Sequence, residues 1–184
     1  MLTTGRTYTI HRYPVHLIER WALPDERVVT IRPVLPQDDA IEQSFVQQLS
    51  PESRYSRFLI ALSELPPAML AYFTEVDYDR HLALIAETFD GGREVQIGDA
   101  RYVIDASGNT AEFAIAVAGA WQHAGVGARL LQGLESGARL AGVTRLDGDV
   151  LAINRKALGF MLRQGFSARP NREEARLVRV SKML

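Results

Sequence analysis

The stretch of residues 111–131, AEFAIAVAGAWQHAGVGARLL, most constrains what this chain can fold into. Its first seven residues are apolar except for Glu112, and such a short run is typical of a strand buried on both faces. A loop with two glycines, Gly125 and Gly127, follows directly. The apolar residues after the loop recur every three to four positions, as on one helix face, at Val126, Leu130, Leu134, Ala138 and Ala141. The stretch therefore predicts a strand, a glycine loop and a helix in succession.

This succession favours the binding of a phosphate or pyrophosphate group. The first N–H groups of a helix have no partner within the helix, and the helix dipole is positive at that end. Both features point at the loop, where glycine lets the backbone approach an anion closely. The pattern is not a P-loop, because no Lys-Ser/Thr follows the glycines, and it lacks the third glycine of the dinucleotide fingerprint. Glycines that only end a strand and start a helix would give the same pattern.

Composition restricts the class of protein. A chain of 184 residues suits one domain, and 47% hydrophobic with 23% charged residues is typical of a folded globular protein. The net charge of -1 gives no overall basic field, so we expect no nucleic-acid partner. No apolar run reaches the ~18–20 residues of a membrane span, so we expect no membrane partner. The absence of cysteine excludes disulfides and thiolate chemistry, and with these features it favours a cytoplasmic location.

The rest of the chain alternates between β-rich and helical patterns. Residues 7–14 could form an extended arm, and residues 17–22 and 28–34 predict a β-hairpin around Pro24-Asp25-Glu26. Helices are predicted over residues 38–49, from Ser50-Pro51, from Pro66-Pro67 through Phe73, and from Asn154 to Gly165. Further strands are predicted over residues 81–89, 94–104, 145–151 and 175–180. We assign the arm and first hairpin strand to residues 1–27 and a single α/β (α+β) domain to residues 28–184.

These features together resemble a known family. Gln122-x-x-Gly125-x-Gly127 resembles the (Q/R)-x-x-G-x-(G/A) signature of the GNAT N-acetyltransferase superfamily. The order of strands and helices over residues 28–184 resembles the GNAT fold, and so does Asn154-x-x-Ala157 followed by Gly165-Phe166. The resemblance implies a mostly antiparallel mixed sheet flanked by helices, with the N-terminal hairpin as an extension.

The amino-terminal half of the chain resembles one type of GNAT enzyme more specifically. The segments TIHRYPVHLIERWALPDERVVTIRPVLPQDD, SPESRYSRF and TEVDYDRHLALIAE resemble the acetyltransferase module of Pat-type bacterial protein lysine acetyltransferases. In many of those enzymes the module follows an ADP-forming acyl-CoA synthetase-like region that is absent here, so the chain is either a stand-alone relative or an excised module. The resemblance implies acetyl-CoA as co-substrate, no metal, and protein lysines, such as those of acyl-CoA synthetases, as acceptors.

The resemblance also assigns roles to residues. Glu112 stands where Pat-type enzymes carry the glutamate that serves as general base. The implied acetyl-CoA contacts are Ile115, Ala116, Val117 and Asn154 for the pantetheine arm, and Gln122, His123, Ala124, Gly125, Val126, Gly127 and Ala128 for the pyrophosphate. Many members supply a tyrosine one residue after the phenylalanine of their closing motif. Here Met161 follows Phe160, so that tyrosine is absent.

The chemistry of acetyl transfer to a lysine requires a general base. A lysine amine with a pKa near ~10.4 is almost fully protonated at neutral pH, so a group must remove its proton before it attacks. Glu112 is the only acid in the central strand, although it could also be a strand-end acid that faces solvent. Asp147 and Asp149 on the next strand are the second choice for the general base. The alternative is that they lie on the solvent side of that strand or pair with arginines. The scattered histidines show no metal-ligand spacing, and no Gly-x-Ser-x-Gly elbow or Cys-His pair is present, which favours direct transfer.

The sequence does not identify the molecule that accepts the acetyl group. Arginines and tyrosines of residues 50–80 suit a protein surface, and we expect them beside the acceptor: Arg54, Tyr55, Arg57, Tyr72 and Tyr78. A solvated helix with ordinary ion pairs is the simpler interpretation of the arginines. Three functions remain: a protein lysine acetyltransferase, a small-molecule amine acetyltransferase, or a non-catalytic acyl-CoA sensor. A deep, closed acceptor pocket near Glu112 would favour the second.

Overall fold

The computed structural model describes residues 12–184, so most of the predicted arm lies outside the described residues. Eight strands form one sheet in the order β1-β2-β3-β4-β5-β6-β8-β7. The strands are β1 Glu19–Ala22, β2 Val28–Pro33, β3 His81–Asp90, β4 Arg93–Ile104, β5 Thr110–Val117, β6 Arg145–Leu151, β7 Ser167–Pro170 and β8 Leu177–Met183. The pair β5–β6 is parallel and the other pairs are antiparallel, which confirms the predicted mixed sheet.

Five α-helices flank the sheet: α1 Asp39–Gln48, α2 Pro51–Phe58, α3 Pro67–Thr74, α4 Val126–Leu140 and α5 Arg155–Arg163. Their ends follow the capping residues in the sequence. The Ser50 hydroxyl accepts the Ser53 N–H at 3.1 Å, and the Asn154 side chain accepts the Ala157 N–H at 3.0 Å. Gly142 takes a φ of +79° after α4, where a left-handed residue commonly ends a helix.

Two details differ from the sequence prediction. The first hairpin strand begins at Glu19 rather than Leu17, because Val15–Leu17 form a 3₁₀ turn that buries Leu17. Strand β7 was not predicted, since its four residues are all exposed and show no alternation of apolar and polar positions. It forms because β8 offers it an edge to pair with.

The sheet has two differently covered faces. On the α4 face, α4 packs on β3, β4 and β5 through buried Leu130, Leu131 and Leu134. Gly137 allows this close packing, since a Cβ there would lie 2.5 Å from the Leu82 side chain. On the opposite face, which we call the α1–α3 face, a second apolar cluster joins the first three helices to β5: Phe45, Val46, Leu49, Leu65 and Phe73, with Ala116 packed against it.

Candidate active site

The site lies where two neighbouring strands separate. β5 and β6 pair only at Thr110↔Arg145, Ala111↔Leu146 and Glu112↔Asp147. Beyond Glu112, β5 stays paired with β4 as far as Val117, and β6 stays paired with β8. The two strands therefore diverge from Phe113 onward and leave a gap in the middle of the sheet.

A bulky side chain lies at the point of divergence. Phe113 packs against Phe166, with ring centroids 5.1 Å apart. Gly148 of β6 makes room for it, because a Cβ at that position would lie 2.8 Å from the Phe113 ring and 3.1 Å from its carbonyl oxygen. The Phe113 ring thus lies directly against Gly148, at the position where the two strands stop pairing.

The hydrogen-bond alternation of an antiparallel pair decides which backbone groups face the gap. The N–H of Asp105 bonds to Thr110 and the N–H of Ala118 bonds to Ile97, so the even-numbered residues of β5 direct their backbone groups toward β4. Ile115 and Val117 consequently direct theirs into the gap, whereas the amide of Ala116 is directed at β4. The Gln122 side chain donates to the Val117 carbonyl at 3.3 Å, across the same opening.

The predicted anion loop lies at the wide end of the gap. After the 3₁₀ turn Gly119–Trp121, His123 and Gly125 adopt φ values of +67° and +82°, and α4 begins at Val126. No side chain caps this end of α4. The amides of its first turn, which belong to Val126, Gly127 and Ala128, therefore have no intrahelical acceptor. His123 is exposed.

Gly127 and Asn154 lie on the two sides of this end of the gap. A Cβ at Gly127 would lie 3.4 Å from the Phe160 ring of α5 and 3.6 Å from Val117, so a larger residue would fill the space between α4, α5 and β5. Asn154 caps α5, and its amide nitrogen lies 3.4 Å from the Ser56 hydroxyl of α2. The structure thus gives Asn154 a capping role, and its predicted role toward pantetheine stays a prediction.

Glu112 is exposed on the α1–α3 face, at the narrow end of the gap. The sheet register places His81, Val103, Glu112, Asp147, Ser181 and Ser167 in one row across that face. Val103 is partly open to solvent, and Tyr72 stacks on His81 with ring centroids 4.8 Å apart. Glu112 makes no ion pair with any residue in the 12–184 range, so its carboxylate is open to an incoming group.

The two second-choice acids are engaged by arginines, as their alternative interpretation predicted. Asp147 pairs with Arg145 at 3.1 Å, and Asp149 pairs with Arg179 at 2.8 Å. Asp149 also accepts a hydrogen bond from Asn171 at 2.9 Å. The other oxygen of Asp147, Oδ1, is buried and has no hydrogen-bond partner among the described residues. Asp149 is therefore the less available of the two.

The predicted surface role is wrong for Arg57, whereas for half-buried Arg54 it stays a prediction. Arg57 is buried and bonds to Asp99 of β4 at 2.8 and 3.2 Å, and Arg54 donates to the carbonyls of Gln47 and Leu49 at the end of α1. Nor are these the ordinary solvent-exposed ion pairs of the simpler interpretation. Among the tyrosines, Tyr78 donates to the Val34 carbonyl at 2.7 Å, while Tyr55 and Tyr72 lie nearer the surface.

Sequence reasoning also missed the buried ionic cluster to which Arg57 belongs. Arg101 bonds to Asp99 at 2.6 Å, and Glu42 of α1 lies 3.6 Å from Arg101 and accepts from Gln96 at 2.7 Å. Burial raises the pKa of Glu42 to about 7, and the neighbouring charge of Asp99 adds to this. Burial opposes the charged form of Asp99 too, but Arg101 and Arg57 hold the pKa of that carboxyl below its usual value. The charged residues inside the apolar patterns of β4 and α1 were the available signal.

No metal or membrane feature accompanies the site. Within residues 12–184, no group of three or more histidines or carboxylates could hold a metal ion. Burial and then the charge of Arg101 lower the pKa of His81 to about 4, so its ring is neutral at pH 7. None of the helices in the described range is long and apolar enough to cross a membrane.

The sheet opens between β5 and β6, and the glycine loop and the uncapped N-terminus of α4 lie at the opening. This arrangement indicates a class of enzyme, which the comparison with known families identifies. Residues 44–166 match the model of the Acetyltransferase (GNAT) family, and the chain belongs to that family. It is a GNAT acetyltransferase that uses acetyl-CoA.

Particular relatives support the same assignment. The acetyltransferase PA5475 of Pseudomonas aeruginosa is 32% identical over 152 residues, which cover 79% of this chain and 81% of that protein. The crystal structure of the GNAT domain of S. lividans PAT has a TM-score of 0.83 and 30% identity, and the match covers 94% of this chain and 99% of that one. The yncA protein of Salmonella typhimurium, solved with acetyl-CoA, has the same fold with a TM-score of 0.65 and 18% identity, over 85% of this chain and 92% of that one.

Proposed function

We propose that this enzyme acetylates lysine side chains of proteins by direct transfer from acetyl-CoA, with Glu112 as general base. The observation that carries the proposal is the position of Glu112 on an uncovered part of the sheet, at the narrow end of the β5–β6 gap. A base at that place is accessible to an amine on a large partner. By resemblance to Pat-type enzymes, the proposal includes acyl-CoA synthetases as partners.

The residues around the gap fit acetyl-CoA. The free amides at the start of α4 suit a pyrophosphate, and the space beside Gly127 is one that a side chain would fill. The gap-facing amides of Ile115 and Val117 suit the pantetheine arm and the thioester oxygen, where fixed donors favour reaction because negative charge develops. Asn154 and Gln122 border the same opening. Acetyl-CoA supplies the activated acetyl group.

The base acts on the acceptor amine. Glu112 takes a proton from the lysine ammonium, directly or through a water molecule, which leaves the nitrogen lone pair free to form the new amide bond. The unpartnered oxygen of neighbouring Asp147 adds negative potential that favours a cationic amine at this place. Cleavage of the thioester then releases CoA as a thiolate.

The leaving group requires no tyrosine from the closing helix. Met161 stands at the position where many family members carry one, and it is buried. A thiol with a pKa near ~8.5 can leave largely unprotonated at neutral pH, so the substitution removes one source of assistance but not the reaction.

The shape of the surface supports a protein acceptor over a small amine. Two surface pockets of the described residues lie elsewhere, one between α2 and residues 60–63 and the other between the β1–β2 turn and His123. Neither encloses Glu112. The row that holds Glu112 instead presents Val103, and Tyr72 of α3 stacks on His81 at the end of that row; both suit contact with a partner surface.

The test is acetyl-CoA consumption against a panel of purified proteins, cell-lysate proteins and free amines, with mass spectrometry of the products. We expect acetyl-lysine on proteins that depends on Glu112. Efficient acetylation of free amines or aminoglycosides without any modified protein lysine would contradict the proposal. Tight acetyl-CoA binding without turnover on any acceptor would indicate a sensor instead.

A further inference from the structure

The carboxy-terminal segment is far more basic than the rest of the chain. Residues 163–184 hold six arginines and lysines and two glutamates, while the whole chain has a net charge of -1. Most of this excess lies on the β7–β8 hairpin. A concentration of one charge sign on one hairpin creates a local potential that the overall charge conceals.

Two arginines of the β7–β8 hairpin have no acid to neutralise them among the described residues. Arg176 pairs with Glu174 at 3.3 Å and Lys182 pairs with Glu135 at 2.6 Å, while Arg179 pairs with Asp149. Arg169 and Arg172 are exposed and form no ion pair with any residue from 12 to 184. Their charges are therefore available to a partner molecule.

The sheet register relates Arg169 to the proposed base, and Arg172 follows three residues later, just beyond β7. Asp149, Arg179 and Arg169 form the row next to the one that holds Glu112, so Arg169 shares the α1–α3 face with Glu112. Three strand spacings of ~4.8 Å and two residues at ~3.3 Å put the two Cα atoms about 16 Å apart. This span corresponds to roughly five residues of extended chain.

We propose that Arg169 and Arg172 recognise acidic residues beside the lysine that is acetylated. The inference rests on the proposed function, because it places the lysine at Glu112. A partner whose lysine reaches Glu112 must extend its surface over part of this face, and carboxylates about 16 Å from that lysine meet the β7–β8 hairpin. Complementary charge at such a rim raises the rate of productive encounter and selects among acceptors.

A structural explanation for the arginines predicts a different outcome. β7 is an edge strand, and charges or a proline on an edge discourage pairing with other chains. Positive and negative charges both discourage pairing of β7 with another chain. Arg→Glu substitutions therefore keep this protection but reverse the preference for acidic residues in the acceptor. Charge reversal therefore separates the two explanations.

The experiment compares the wild type with the double variant Arg169→Glu/Arg172→Glu on matched peptides. Each peptide holds one lysine and, five residues away, two glutamates, two glutamines or two arginines. We expect the wild type to favour the glutamate peptide over the glutamine peptide by roughly tenfold in kcat/KM, and the double variant to favour the arginine peptide. Both preferences should shrink at 0.5 M NaCl, because salt screens exposed charges. The same pair of enzymes is compared on the lysate proteins of the functional test, where the double variant should lose sites flanked by acids.

Controls define the outcomes. Arg93→Glu, an exposed reversal on the distant β3–β4 turn, should leave the preferences unchanged. The KM for acetyl-CoA and the rate with a small amine should be unaltered in the double variant. Two results with the double variant would overturn the inference and leave the proposed function intact. One is a peptide preference equal to that of the wild type. The other is a loss of activity with the small amine, or of acetyl-CoA affinity, as large as the loss with the glutamate peptide. A wild type that modifies no lysine in any peptide or protein would remove the proposed function, and this inference with it.

Discussion

At the scale of single residues, the site depends on which polar groups remain free. Asp147 and Asp149 lie close to Glu112, but both are bound by arginines. Glu112 has no ion pair within the described residues and stands at the point where β5 and β6 separate. A carboxylate that is unengaged and accessible can accept a proton, whereas one held by an arginine is stabilised in its charged form.

Replacing the proposed base tests this assignment. Glu112→Gln should lower kcat by roughly 10²–10⁴-fold and leave acetyl-CoA affinity nearly unchanged, because the amide keeps the shape but cannot take the proton. Steady-state kinetics with a protein acceptor measure both quantities. Asp147→Asn is the matched comparison in the same row, and a larger loss there than in Glu112→Gln would transfer the role to Asp147.

The glycine at the start of α4 gives a second test at this scale. Acetyl-CoA at 100 times its Kd should stabilise the wild type by about 2.7 kcal/mol. Gly127→Val should abolish most of that gain, because its side chain would meet Phe160 and Val117 in the space that we assign to the ligand. Thermal unfolding with and without acetyl-CoA measures the difference.

Gly159→Ala on α5 is a suitable control for Gly127→Val, since the added Cβ would meet only the flexible end of Arg163. It should retain the acetyl-CoA effect. If Gly127→Val responds to acetyl-CoA as the wild type does, the loop is not the pyrophosphate site.

At the scale of elements, α2 links the two parts of the sheet. Arg57 binds Asp99 on one side of the gap. On the other side, Ser56 meets Asn154 and the Tyr55 hydroxyl accepts from Arg176. A helix with few apolar residues is thus held by polar contacts that reach both sides of the gap, in addition to the packing of Phe58 against the apolar cluster of the α1–α3 face.

Removing Arg57 should therefore destabilise the fold rather than weaken acceptor binding alone. Arg57→Ala leaves Asp99 buried with one fewer partner, and breaking a buried pair in this way costs roughly 3–5 kcal/mol. Denaturant unfolding should show this loss, while Arg163→Ala at an exposed position should change stability by less than about 0.5 kcal/mol. A rise in the acceptor KM with unchanged stability would instead restore the surface role.

At the scale of the whole molecule, the sheet consists of two parts joined along a short seam. Strands β1 to β5 and strands β6 to β8 share only three residue pairs. Contacts such as Phe113 with Phe166 and Glu135 with Lys182 support the seam from the α4 face. Beyond the seam, β5 keeps only β4 and β6 keeps only β8 as a hydrogen-bonded neighbour.

The buried charges beneath α1 predict how stability varies with pH. The pKa of Glu42 rises from 4.5 to about 7 in the folded protein, so between those values the folded state binds a proton that the unfolded state has released. Stability should then fall as pH rises from about 4.5 to 7, by on the order of 2–3 kcal/mol from this group. Glu87, whose pKa burial also raises to about 7, adds a slope of the same sign.

Glu42→Gln separates this contribution from that of Glu87. The variant keeps the shape without a titrating proton, so its unfolding free energy should decline less between pH 5 and pH 7.5 than that of the wild type. Denaturant titrations at several pH values provide the comparison. Equal slopes in the two proteins would show that Glu42 has an ordinary pKa in the folded state.

Local patterns predicted most elements of this fold. The strand, glycine loop and helix of residues 111–141, the hairpin around Pro24 and the caps at Ser50 and Asn154 depend on neighbours in sequence. For that reason hydrophobic period, glycine conformation and capping chemistry predict them from sequence alone. Family membership followed from the same loop and from the order of elements.

Contacts between residues distant in sequence decided the features that local patterns did not predict. The arginines of α2 look like surface residues in the sequence, yet Arg57 pairs with Asp99, 42 positions away. Phe113 meets Gly148 of another strand where the gap begins, and β7 exists only because β8 pairs with it. The kinds of element follow from local backbone chemistry and were therefore predictable, and the family followed from the resemblance of the loop motif and the order of elements. The tertiary structure alone decided which charges are buried and which face the open surface, because burial depends on residues that meet only in the fold.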